Sequence, residues 1–99
     1  DDIILHYYEK ADDFKSHEFD NELAILNEKN GSLHILNDVA ARVYLLVDGK
    51  NSFEDIVKYI LSIYDVKRET AVTDVISILR EFEELGIIRN VSSNSPNFC

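Results

Sequence analysis

The sequence predicts an α+β domain in winged helix-turn-helix order, a three-stranded antiparallel meander followed by three helices. Three observations lead there. Residues 32–47 open with the two-residue alternation of a strand and close with the three- and four-residue spacing of a helix. Two alternating segments precede that stretch, separated from each other and from it by Asp20-Asn21 and Asn30-Gly31. Two further segments of helical period follow it.

Residues 1–13 read as an N-terminal arm or extra strand, because Ile3, Ile4, Leu5, Tyr7 and Tyr8 are too apolar for a free tail and Asp12 and Asp13 break any continuation. Phe14, Ser16, Glu18 and Asp20 then alternate with Lys15, His17 and Phe19, and Glu22 to Leu26 form a second strand. Asn30-Gly31 suits the two positive-φ positions of a primed turn, so the second strand returns as the third over residues 32–36. The first helix is expected over 38–47, with Asn37 and Asp38 able to accept from free N–H groups and Asp48-Gly49 as its stop. Ser52 caps a second helix whose inner face is Ile56, Val57, Ile60, Leu61 and Ile63. Thr70 is positioned to cap the third, which reaches Gly86. At 100° per residue the third helix's apolar positions, from Leu85 and Ile78 through Phe82, Val75, Leu79 and Val72 to Ile76, cover about half its circumference. A helix docked on one side needs a stripe of a little over ~100°, so one edge is expected to face something beyond its own core. Ile87 to Val91 add a short strand, and residues 92–99 read as a flexible tail.

The length of 99 residues fits one domain, and no apolar run approaches the roughly 20 residues of a membrane span. No signal peptide opens the chain, which predicts a cytoplasmic protein; the missing Met suggests processing or excision. Nineteen acidic against ten basic residues give a net charge of −9, which repels phosphate backbones. His6, His17 and His34 lack metal-ligand spacing, and Cys99 stands alone as an incidental thiol. Glu81, Glu83 and Glu84 read as a solvated helix face. With neither a phosphate loop nor a nucleophile motif, the chain is expected to be no enzyme and to need no cofactor.

Several motifs stand in a recognisable order. Leu36-Asn37, Ala41, Tyr44, Leu45 and Leu46-Val47-Asp48-Gly49 are followed by Ser52, Ile56 and Val57, then Tyr64 and Val66. Asp74-Val75, Ile78-Leu79, Phe82 and Leu85-Gly86-Ile87-Ile88 close the series. Over residues 14–91 the chain resembles the PqqD-like family, the peptide chaperones of pyrroloquinoline quinone biosynthesis and the related recognition elements of ribosomally made, modified peptides. Tyr44 stands where that family often has Trp, and the first ten residues lie outside its pattern. The resemblance implies binding of a precursor's leader peptide and its presentation to a modifying enzyme, typically a radical S-adenosylmethionine (radical SAM) protein or a cyclase or protease.

The residues support such a task separately. The strand at 32–36 ends the meander, so its free N–H and C=O groups can accept an extended peptide as a further strand. The expected groove has Leu33, His34 and Ile35 on one wall and Asp74, Val75, Ile78 and Phe82 on the other, although core packing is the better account of Val75 and Phe82. A DNA-binding winged helix is the first rival, disfavoured because the third helix offers Arg80 against Asp74, Glu81, Glu83 and Glu84. The second rival is a structural module that forms a homodimer through the same strand edge.

Overall fold

The computed structural model describes residues 6–20 and 22–91. Residues 1–5, the turn residue Asn21, the tail expected at 92–99 and Cys99 lie outside them. The described residues form nine elements in order: β1 (Tyr7–Lys10), β2 (Phe14–Phe19), β3 (Glu22–Asn27), β4 (Leu33–Leu36), α1 (Asp38–Leu45), β5 (Asp48–Ser52), α2 (Phe53–Ile63), α3 (Arg68–Leu85) and β6 (Ile88–Asn90). The expected α+β meander is the antiparallel sheet β2-β3-β4, and the expected three helices are present.

The hairpin between β3 and β4 is built differently from a two-residue primed turn. Its closing pair is Asn27 and Ser32, with Asn27 N–H donating to the Ser32 carbonyl at 2.8 Å. The Asn27 carboxamide accepts from the N–H groups of Lys29 and Asn30, at 2.9 and 3.3 Å, and so organises a four-residue loop. Only Gly31 there has positive φ, at 76°.

Asn37 caps α1 by accepting from Ala40 N–H at 2.9 Å. The helix ends at Leu45, two residues earlier than its period suggests. Beyond it lies β5, which the sequence did not announce because Asp48, Gly49, Lys50, Asn51 and Ser52 carry no apolar period. It is a strand because β1 lies beside it, pairing Tyr7 with Ser52 and Glu9 with Asp48. On its other side β1 pairs with β6, making a second sheet in the order β5-β1-β6. Lys10 fastens β1 to the helices: its Nζ donates to the Val47 carbonyl at 2.8 Å and stands 4.9 Å from the Tyr44 ring centre. Burial holds its pKa below the ordinary value, with Asp48 opposing.

Ser52 caps α2 in a reciprocal box with Asp55. Phe53, Ile56, Val57 and Ile60 form its buried face, whereas Ile63, expected there, is exposed. The third helix starts at Arg68 without a side-chain cap, so Thr70 does not hold the role expected of it. Arg68 instead grips Glu54 at the start of α2 with two bonds of 2.6 and 3.0 Å. Gly86 ends α3 at φ 78°. Contacts with α1, α2 and β6 explain most of the breadth of its apolar arc.

Three carboxylates predict the acid limb of stability. Asp38, bonded by the Tyr64 hydroxyl, Asp48, bonded by the N–H groups of Lys50 and Asn51, and Glu54, bonded by Arg68, all have pKa values held below the ordinary 3.8, 3.8 and 4.5. A carboxyl with a depressed folded pKa stabilises fully above its unfolded value and loses that contribution as pH falls through the folded one. The melting temperature should therefore hold down to about pH 5 and fall below about pH 4.5. A melting temperature unchanged down to about pH 3 would show that these bonds add nothing.

Candidate functional site

The register decides which groups β4 presents. It pairs Leu26 with Leu33, Ile25 with His34, Ala24 with Ile35 and Leu23 with Leu36. Antiparallel pairs alternate between those that exchange backbone hydrogen bonds and those that do not. Because the Asn27–Ser32 pair bonds, so do the pairs of His34 and Leu36. Leu33 and Ile35 consequently turn their N–H and C=O groups away from β3, toward the open edge. No other described strand pairs with β4.

Side chains follow the same alternation. Leu36 is buried, as are Leu23 and Ile25 opposite Leu36 and His34, so this is the face that α1 packs against. Half-buried His34 shares that core face. Leu33 and Ile35 stand on the outer face, 58% and 49% exposed.

The seven residues expected to line one groove therefore do not share one surface. Leu33 and Ile35 offer their backbone to the edge and their side chains to the outer face, and only His34 of this wall faces the helices. On α3, Val75 and Phe82 are enclosed in the core, at 0% and 2% exposure. They are packing residues because α1 and α2 cover that side of the helix, with the Phe82 ring edge-on to Tyr44 at 5.9 Å. Ile78 is half-buried at the margin of the core, and Asp74 is exposed. Of the seven, Leu33, His34, Ile35, Asp74 and Ile78 are the ones that the core does not enclose.

The two free edges of the meander differ in chemistry. On β2, pairing of Asp13 with Glu28 sets Phe14, Ser16 and Glu18 outward, and the strand carries Lys15, His17 and Glu18 as exposed side chains. Charges of this kind discourage strand addition. The β4 sequence, Leu-His-Ile-Leu, has no Lys, Arg, Asp or Glu. The outward parity of Leu33 and Ile35 was the signal missed in the sequence: residues flanking a hairpin loop bond to each other, which already turns Ser32, His34 and Leu36 inward.

A cavity of about 200 Å³ lies elsewhere, between α1 and the β2–β3 turn, with Glu18, Asp20, Glu22 and Asp38 around Arg42. Arg42 there contacts Asp38 and the Tyr59 hydroxyl at 3.3 and 3.2 Å. Among the described residues no helix is long and apolar enough to cross a membrane.

Comparison with known proteins bears on the edge. The sequence profile of the family described as Coenzyme PQQ synthesis protein D (PqqD) matches residues 22–88. No curated protein matches the chain. Among solved structures, TbiB1 in complex with the TbiA(beta) leader peptide is similar, with 26% identity, 82% of this chain and 94% of that one covered, and a TM-score of 0.75. A lasso peptide synthetase B1 complexed with the leader peptide shares the fold at 22% identity, covering 83% and 96%, TM-score 0.75. The heterocyclase TruD shares it at 17% identity over 95% of this chain and 12% of that one, TM-score 0.62.

Proposed function

The chain belongs to the PqqD family, and from that premise we propose that it binds the leader segment of a ribosomal precursor peptide as an added strand on β4 and presents the precursor to a modifying enzyme. The observation that carries this reading is the uncharged β4 edge, with the outward backbone groups of Leu33 and Ile35. Likeness to a structure holding a leader peptide supports it. Affinity comes from the backbone ladder, and specificity from side chains that reach His34 and the Asp74–Ile78 side of α3. The domain does no chemistry and needs no cofactor in this reading. Its partner enzyme is a radical SAM protein or a cyclase or protease, and its setting is cytoplasmic. Exposed Asp74, Glu81, Glu83 and Glu84 on α3 disfavour DNA. A homodimer formed through β4 would compete with the leader for one edge, and gel filtration with and without leader distinguishes them.

Proline substitution tests the edge. Leu33→Pro removes an outward N–H and should leave the fold intact while weakening leader binding by more than about ten-fold. His34→Pro removes an N–H bonded to β3 and should cost about 1–3 kcal/mol of stability. Circular dichroism and calorimetric titration with synthetic leaders from neighbouring precursor genes measure both. A folded Leu33→Pro protein with parental affinity would end the strand-addition reading.

A further inference from the structure

Half-buried sheets ordinarily expose a polar outer face. Here the outer face carries Ala24 and Leu26 on β3, flanked by Ile35 and Leu33 on β4 and by His17 and Lys15 on β2, so its apolar part is the β3–β4 half. Residues 23–26 thus read as apolar on both faces, and 33–36 depart from that only at inward His34, close to the pattern of strands covered on two sides. Leu33 and Ile35, among the most exposed large apolar side chains described, are also the two residues whose backbone groups point to the open edge. Whatever bonds to that edge must place side chains beside them.

We infer that the leader segment is recognised on the outer face as well as the inner one, through two apolar residues at positions i and i+2 that stack beside Leu33 and Ile35. This rests on the strand-addition reading. A strand bonded to Leu33 and Ile35 sets its bonded residues directly opposite them, and the side chains of such pairs share a face. The residue between them turns inward, opposite His34. Cross-strand pairs of aliphatic, β-branched or aromatic side chains are the favourable ones, so Val, Ile, Leu, Phe or Tyr suits both positions. The surroundings favour a positive flank: Glu22 continues the outer face of β3 past Ala24, Lys15 on that face is paired with Glu28 at 3.4 Å, and the chain carries −9 overall. The occupant is an extended segment with alternate apolar residues and adjoining Lys or Arg.

The probe is a phage-displayed library of random peptides about 12 residues long, which exceeds an ordinary strand. It is panned on the intact chain, and enriched peptides are synthesised and titrated by calorimetry. The expected sequences carry apolar residues at i and i+2 and more Lys and Arg than Asp and Glu. Their affinity should fall roughly ten-fold in the doubly substituted Leu33→Thr, Ile35→Thr protein, which places a strand-favouring β-branched residue at both positions and keeps every backbone N–H. Ile35→Pro should abolish binding. Peptides that bind the Thr variant unchanged but lose Ile35→Pro overturn the outer-face inference and leave strand addition standing. A selection yielding no peptide sensitive to Ile35→Pro overturns strand addition itself.

Discussion

Phe82→Ala is expected to cost about 3–5 kcal/mol of folding stability. The side chain is 2% exposed, on the face of α3 that meets α1, with its ring edge toward Tyr44 at 5.9 Å and 85° between planes. Truncation removes the transfer free energy of a buried aromatic and leaves a cavity between α3 and α1. The ring pair contributes about 0.5–1.5 kcal/mol beyond burial. Tyr44 and Leu79, 3% and 1% exposed, belong to the same core and read as structural for the same reason. Domains of this size hold roughly 5–15 kcal/mol in all, so the variant should be marginal at 37 °C. Urea denaturation measures the loss, and any leader-binding defect should track the unfolded fraction. A loss under about 1 kcal/mol would show that Phe82 faces outward and restore it to the binding surface.

Ile78→Asp is expected to abolish leader binding while keeping a cooperative fold. Ile78 lies at the margin of the core, half-buried, with exposed Asp74 and Glu81 about one helical turn to either side. A carboxylate at a half-exposed position stays hydrated, so the fold should lose no more than about 3 kcal/mol. The leader faces a different balance. An apolar anchor that displaced water from Ile78 would have to desolvate a carboxylate, and two neighbouring carboxylates leave no cation to compensate it. Were Ile78 a full core residue, burying an unpaired charge would unfold the chain before binding could be measured. Thermal melts and calorimetry on the one variant discriminate these results. A stable protein with unchanged affinity would move the binding surface away from α3.

Much of this molecule is legible in its local chemistry. The strand patterns at 14–20, 22–26 and 32–36 predict the meander to within a residue at each end, and the helical periods predict three helices with Asn37, Ser52 and Gly86 at their ends. The loop around Asn30-Gly31 is longer than that dipeptide suggests, yet moving the closing pair to Asn27 and Ser32 slips the register by two residues, so each side chain keeps its face. The motif order from Leu36-Asn37 to Ile87-Ile88 places the chain in its family.

The second sheet and the division of the site are tertiary decisions. Asp48–Ser52 has no intrinsic strand pattern and acquires one only from Tyr7–Lys10 alongside it, with Lys10 held at the Val47 carbonyl. On α3, Val75, Ile78 and Phe82 are equivalent members of one apolar arc, and their period cannot say which neighbour covers which. The packing of α1 and α2 makes Val75 and Phe82 core and leaves Ile78 at the margin. Periodicity depends on residues a few positions apart on one element, whereas burial depends on elements brought together from distant parts of the chain.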